Sequence, residues 1–414
     1  MTDSVFINVT ISDPLKQQDS FGSYIIYKVN TSTNHPELPF SEFSVLRRFN
    51  DFVWLHDQLN FSHPGAIVPP LPEKQAVGRF TPEFVECRRR ALEKFMLRVT
   101  KHSTLKHSKC FHAFIQSDDA QFAQAKEQFR LEREKAAGSI TSWLETKVNA
   151  LTTSNSQAGL EKNAADLKFE EILQYITHLE TQMTSVSKHT SILVKHNRAM
   201  ANALFEFGQA FTWLGQSEGD ALGAALTQMG NTADQLSVLA TENVEAEAIF
   251  LDEPLEEYVR LLNSVKIAMK RRQDKKNAYI NTIIDYEAKQ ASYNKVLGVP
   301  GKEEAANAKL ALVEKAQAAV ETSKTEYEEV SERLLEEFDR FKREKAEDMK
   351  LILLNYVNLQ VQFNKKTEKA WSDLLPHLKE ITTETGMIFS DNFTTLNSTQ
   401  PNNSNNNNNN NNNN

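Results

Sequence analysis

Three clusters in the first hundred residues have the chemistry of an anion grip: Arg47-Arg48-Phe49, Pro69-Pro70-Leu71-Pro72-Glu73-Lys74, and Arg88-Arg89-Arg90. A guanidinium offers paired N–H donors that match two phosphate oxygens at once, while an ammonium adds a compact point charge. Taken singly, each cluster has a plainer reading. The arginine pair fits an ordinary solvated strand end, and Pro69 to Pro72 has the PxxP form of a polyproline ligand. The combination, in this order, is far more specific than any of its parts.

The flanking sequence supplies elements that could position these groups. Phe6 to Ile11, Ser23 to Val29 and Glu42 to Leu46 read as three strands, rich in β-branched and aromatic residues. Helical spacing follows, first at Phe52, Leu55 and Leu59, then at Phe84, Ala91, Leu92, Phe95 and Val99. Strands first and helices afterwards predict a small α+β domain over residues 1–120. The arginine pair leaves its last strand, a stiff proline loop carries the lysine, and the arginine triplet enters its last helix.

This arrangement resembles the phox-homology (PX) domain of the sorting nexins over roughly residues 3–118. The resemblance implies that Arg48 holds the 3-phosphate of a phosphoinositide and that Phe49 packs on the inositol ring. It further implies that Lys74 reaches the 1-phosphate and Arg88 the ring hydroxyls. Phosphatidylinositol 3-phosphate or a related lipid is the ligand so implied. Thirteen residues separate Lys74 from Arg88, so the long insertion that some sorting nexins carry here is absent.

Residues 121–164 read as a linker containing one short amphipathic helix at 139–151. Ile140, Trp143, Leu144, Val148 and Leu151 form an apolar stripe behind a possible Ser139 N-cap. Such a helix could lie in a lipid headgroup layer or pack on a helical bundle. Residues 165–385 read almost wholly as helix, in segments of about 165–216, 220–296 and 302–377. Breaks are predicted at Gln216 to Asp220 and at Gly298 to Gly301. Pro254 falls inside the second segment, where a kink is expected. Glycines 208, 215, 219, 223 and 230 flank the first break, where helices could approach closely. Residues 390–414, rich in asparagine, read as a disordered tail.

A third constellation runs from Lys266 to Lys276. Lys266, Lys270, Arg271, Arg272, Lys275 and Lys276 are set against the single carboxylate of Asp274. A run of this kind is either a solvated face or a basic patch facing anionic lipid, where each charge contributes about 1 kcal/mol. The helical region resembles the BAR domain that follows PX in one branch of sorting nexins, nearest the retromer-associated branch. Stretches such as Ala203 to Gly208, Tyr258 to Leu262, Phe341 to Lys345 and Ala370 to Pro376 carry that likeness. It implies an all-α domain of three long helices forming an antiparallel dimer, homomeric or with another sorting nexin.

Composition narrows the remaining classes. Of 414 residues, only 13 are glycine and 12 proline, which suits long helices. The net charge of −8 and the lack of aromatic-interleaved basic stretches disfavour nucleic acid. Met1 to Asp13 lacks the basic and apolar regions of a secretory signal, and no run of about 20 apolar residues could cross a bilayer. Cys87 and Cys110 form no ligand cluster, and the six histidines of the first 120 residues are scattered, so no metal and no cofactor are expected. No GxSxG, P-loop, HExxH or dinucleotide fingerprint points to an enzyme. The expectation is a cytoplasmic protein, peripheral on early endosome membranes, that binds 3-phosphoinositides and senses or induces curvature. Endosomal sorting and retrograde transport with retromer-like coat subunits would be its setting. The competing class is a coiled-coil tether or scaffold that uses its PX module only for targeting.

Overall fold

Alternating side chains build the first layer. In the computed structural model, β1 (Ile7–Asp19), β2 (Gly22–Thr33) and β3 (Glu42–Arg48) pair antiparallel in the order β1-β2-β3. Residues 5–19, 22–38, 40–75, 78–148, 164–218, 221–379 and 381 are described, with the backbone alone at 19, 136–148 and 164–165. Helices α1 (Phe49–Ser62), α2 (Pro82–Lys101) and α3 (Lys109–Gln116) complete the N-terminal domain. Val9, Ile11, Tyr27 and Val29 from the sheet pack with Phe52, Leu55, Leu92, Phe95, Phe111 and Phe114 from the helices. Thr81 caps α2, accepting a hydrogen bond from the Phe84 amide, and Pro82 occupies the first turn, where no amide partner is needed.

Residues 121–148 of the expected linker belong instead to one long helix, α4 (Asp119–Val148). Asp118 caps it through the Gln121 amide at 2.8 Å. Phe122 and Phe129, seven residues apart, stand edge-on to Trp54 with ring centroids at 5.0 and 5.7 Å. These contacts extend the N-terminal core well past residue 121. Ile140, Trp143, Leu144 and Val148 lie on the backbone of α4, but their side chains and all of Leu151 fall outside the described residues, as does the 390–414 tail.

The three expected long helical segments are present as α5 (Ala164–Ser217), the pair α6 (Ala221–Glu247) and α7 (Glu253–Asn294), and α8 (Glu303–Lys379). A π-helical turn at Ala248–Asp252 joins α6 to α7, with the Glu253 amide reaching back five residues to Ala248. Pro254 therefore sits in the first turn of α7 rather than in a helix interior. The π turn inserts one residue into the register at the place where proline would collide with the carbonyl four residues before it.

The chain forms two compact units, residues 1–194 with 246–357 and residues 195–245 with 358–414. In the first unit the N-terminal domain is fastened to the long helices. Ile67 joins Ile172, Ile176, Tyr258, Leu262, Leu334 and Phe338 in one apolar cluster. Arg90 pairs with Glu253, Arg98 bridges Glu257 at 2.6 Å and Asp348 at 2.8 Å, and Lys94 also meets Glu257. Arg333 donates to the Pro64 carbonyl at 2.9 Å. Gly65, at φ +88°, comes so close to Val330 that a Cβ would stand 2.8 Å from its carbonyl oxygen.

In the second unit, α5 and α6 touch backbone to backbone. A Cβ on Gly215 would lie 2.7 Å from the Gly223 carbonyl, and one on Gly230 equally near the Gly208 carbonyl. The sequence expectation of close approach is met here. Gly230→Ala is expected to lower stability by about 1–3 kcal/mol despite alanine's better helix propensity, because a backbone carbonyl cannot step aside as a side chain would. A shift in the urea midpoint measures this.

Candidate functional site

Period-two alternation on β3 sends its two arginines to different destinations. Arg47 turns inward and is 1% exposed. Its Nε donates to the Phe114 carbonyl at 2.9 Å, its Nη1 to Leu46 at 2.8 Å, and its Nη2 to Ser117. The guanidinium also lies 4.2 Å from the Phe122 ring centre. Burial works against its charge, while Asp51, Asp119 and Asp118 support it. Arg47 is a structural pin that joins the sheet to α3 and α4.

Arg48 turns outward into a cleft of about 190 Å³, which also takes in Phe49, Lys74 and Arg88. All four residues expected from the sequence thus line one recess. The Arg48 amide donates to Asp51 Oδ2 at 2.9 Å, which starts α1 just beneath it. The Arg88 guanidinium is held between the rings of Phe49 at 4.4 Å and Phe84 at 4.3 Å, and Nη2 donates to the Glu73 carbonyl at 3.3 Å. That hydrogen bond ties the proline loop carrying Lys74 to α2.

Its neighbours on α2 are committed elsewhere. Arg89 binds Glu86, Glu93 and the Ile11 carbonyl, and Arg90 binds Glu253. Arg79 is a fourth cation in the cleft, one that sequence reasoning missed. It sits beside Phe80, 4.8 Å from the ring centre, in a loop without periodicity. The only signal for it was a lone basic residue between the lysine and the arginine helix.

Among the described residues, four cations and no carboxylate line this recess. Two buried polar atoms on its wall, Tyr27 Oη and Arg88 Nε, make no hydrogen bond among the described residues. Burial pushes the Tyr27 phenol up to about 12, against the opposing pull of Arg88, so it remains a neutral donor. A larger cleft of about 740 Å³ shares Lys74 and Arg88 but is also lined by Glu253, Glu256 and Glu257. Those carboxylates make it a poorer host for an anion.

The basic run on α7 does not stand as six free charges, and Arg272 is no part of an exposed patch. Arg272 is 4% exposed, donating to Asp166 Oδ1 at 2.9 Å, Tyr327 Oη at 2.6 Å and Ser331 Oγ at 3.0 Å. Lys276 pairs with Asp166, Lys266 with Glu180 and Lys275 with Glu326, each at 2.7 Å. Burial opposes ionisation of Asp166, yet hydrogen bonds from Lys276 and Arg272 hold its carboxyl below the usual range. Among the described residues, only Lys270 and Arg271 of the six make no ion pair, and Lys270 is exposed. The run looked like a patch because its acidic partners lie on other helices, far away in sequence.

A three-stranded sheet with a basic cleft, fastened to long helices, defines a PX module joined to a BAR-type helical domain. The PX domain family matches residues 36–118, and the family described as Vps5 C terminal like matches residues 144–377. Sorting nexin 1 of Arabidopsis thaliana is 30% identical over 382 residues, covering 90% of this chain and 93% of that protein. Sorting nexin-2 of Bos taurus is also 30% identical, covering 91% of this chain and 73% of its own length. The SNX-BAR Mvp1 tetramer, solved by cryo-EM, superposes with a TM-score of 0.63 at 16% identity, over 88% of this chain and 99% of that one.

The chain belongs to the PX-BAR sorting nexins. Members of this family are non-enzymatic trafficking adaptors that associate peripherally with endosomal membranes. No helix among the described residues is long and apolar enough to cross a membrane.

Proposed function

We propose that this chain captures a 3-phosphorylated inositol headgroup in the Arg48 cleft, on early endosomes, as one half of a curvature-sensing BAR dimer. The observation that carries the reading is the convergence of Arg48, Lys74, Arg79 and Arg88 on one recess without a carboxylate. Arg48 is the bidentate partner of the 3-phosphate and Phe49 the floor for the ring. Lys74 reaches the 1-phosphate, and Arg88, fixed between two phenyl rings, presents donors to the hydroxyls. Arg79 stands at the rim, where a further phosphate on the ring would meet it.

Dimerisation is supported by apolar side chains left exposed along the helices. In the first unit these include Leu173, Val186 and Ile192 on α5 and Leu351, Leu354 and Val357 on α8. In the second unit they include Phe205, Trp213 and Leu214 on α5 and Val361 and Leu375 on α8. Stripes on this scale are large for a soluble surface and fit burial against a second chain, the same or another sorting nexin. Leu354→Asp combined with Val357→Asp is expected to convert the dimer to monomer, measured by light scattering, without changing headgroup affinity per chain. Assembly with retromer-like coat subunits in retrograde transport follows the same family reading.

The whole proposal is tested by flotation of the full chain on vesicles across a phosphoinositide panel, with electron microscopy of the same samples. Binding confined to 3-phosphorylated vesicles, with tubules or a preference for small vesicles, is the expected result. Binding without any dependence on curvature would leave a tether with a PX address. Indifference to phosphoinositides would overturn the site.

A further inference from the structure

Three histidines that the sequence scatters are gathered by the fold at the far end of the sheet from the lipid cleft. His35 and Glu37 lie on the turn between β2 and β3, while His107 and His112 belong to the 3₁₀ turn before α3 and to α3 itself. The ring of His35 lies 5.3 Å from those of both His107 and His112, centre to centre. His35 and His112 are 7% and 8% exposed, whereas the Glu37 carboxylate reaches into solvent. One ligand atom from each of His35, Glu37 and His112 lies within 4.8 Å of the other two.

Hydrogen-bond partners assign the ring protons. His112 Nε2 stands 2.9 Å from the Lys106 carbonyl, so that nitrogen must donate and Nδ1 is left as a lone pair. His35 Nδ1 accepts from the Glu37 amide at 3.3 Å, so the His35 proton is on Nε2, which donates to His107 Nδ1 at 3.2 Å. His112 Nδ1 therefore carries a lone pair with no donor among the described residues, while that of His35 Nδ1 is held by the Glu37 amide. Beside them, Glu37 Oε2 lies 3.8 Å from His112 Nδ1 with no proton of its own between them. Two electron-pair donors, His112 Nδ1 and the Glu37 carboxylate, thus face each other, and a cation between them would satisfy both, with His35 Nδ1 as third ligand once it releases the Glu37 amide.

We propose that His35, Glu37 and His112 bind a divalent transition-metal ion of the zinc class, with His107 orienting His35. Two imidazoles and a carboxylate are a zinc-type donor set, with water completing a tetrahedron at about 2.0–2.2 Å. The outward N–H of each ligand histidine already has an acceptor, for His112 a backbone carbonyl of the kind that metal-binding imidazoles use and for His35 the His107 ring. Glu37, being exposed, closes on the ion by a change of rotamer, and the long Glu37 amide bond to His35 is the one displaced. The ion would clamp the β2–β3 turn to α3. Tyr24, in the lipid cleft, and Thr33, next to the histidines, are nine residues apart on β2, about 30 Å at strand spacing. The two sites are physically separate.

The test uses the full chain, stripped with chelator and titrated with Zn²⁺ against a metallochromic indicator. One equivalent is expected to compete, and saturating Zn²⁺ is expected to raise the melting midpoint, since only the native chain holds the site. Glu37→Gln alters an exposed side chain and leaves the fold intact, and it is expected to weaken Zn²⁺ binding about 10–100-fold. His35→Ala with His112→Ala is expected to abolish it. X-ray absorption should show only nitrogen and oxygen ligands at about 2.0–2.2 Å. Arg48→Ala should take up Zn²⁺ as the unaltered chain does, which keeps this result independent of the lipid reading. Absence of stoichiometric uptake, or uptake undiminished by Glu37→Gln, overturns the proposal.

Discussion

Arg48→Ala is expected to lower affinity for vesicles carrying a 3-phosphorylated inositol lipid about 10–100-fold, while the protein stays folded and dimeric. Arg48 is exposed at the end of β3, lines the cleft and supports no buried partner with its guanidinium. Loss of a charge-assisted contact to a phosphate costs about 1.5–3 kcal/mol, and each 1.4 kcal/mol is a factor of ten in affinity. The adjacent substitution is the control. Arg47→Ala would strip donors from the Phe114 and Ser117 carbonyls and leave a hole beneath Phe122. It should cost about 3 kcal/mol or more of stability, with lipid binding lost only through unfolding. Flotation paired with a urea titration separates the two. Arg48→Ala with wild-type lipid affinity would remove the headgroup assignment.

The second large effect is expected at Glu337, where α8 meets the N-terminal domain. Its Oε2 accepts from the Ile67 amide at 3.0 Å, from His102 Nε2 at 3.0 Å and from Arg340 Nη2 at 2.6 Å. Burial would raise its carboxyl, but the hydrogen bonds from His102 and Arg340 prevail and hold it at about 2. Removing one member of a buried charge network strands the others, so Glu337→Ala should cost about 3–5 kcal/mol.

The pH dependence has a definite sign. A carboxyl held at about 2 in the native chain, against 4.5 when unfolded, stabilises fully above about 4.5. At about 1.36 kcal/mol per pH unit that contribution is about 3 kcal/mol, and it fades as pH falls from about 4.5 through about 2. Glu337→Gln lacks this dependence. The stability gap between it and the unaltered chain should be widest at neutral pH and close on acidification. Chemical unfolding across pH 7 to 3 reads it, and a constant gap would contradict the role given to the charge.

Part of the basic cleft was legible because Arg48 and Phe49 lie where β3 ends and α1 begins, and Lys74 lies in a proline loop, where strand and loop grammar predicts direction. Arg48, Phe49, Lys74 and Arg88, named through the family resemblance, do line one recess. The choice among Arg88, Arg89 and Arg90 was harder, because successive helical residues point about 100° apart. Glu253 of α7 takes Arg90, while Glu86, Glu93 and the Ile11 carbonyl take Arg89, which leaves Arg88 for the cleft. The α7 run misled for a different reason. Arg272 falls three to four residues along the stripe of Leu261, Val265 and Ala268, all buried, and that phase was a sign of burial that charge counting overlooked. The start of α4 carried a similar signal in Phe122, Lys126 and Phe129, the lysine reaching Asp51 at 2.9 Å. The histidine cluster had none, since its members meet only after the β2–β3 turn closes onto α3.

The bolts from Arg90, Arg98 and Ile67 to α7 and α8 bear on what a captured lipid tells the rest of the molecule. A recognition module on a slack tether would report only that the right membrane is nearby, leaving the helices to swivel. Fastened as it is, the module would, on the proposed reading, convert one occupied cleft into a compass bearing for α7 and α8. Each lipid seated there would remove rotational freedom that any later contact with the bilayer would otherwise have to restrict.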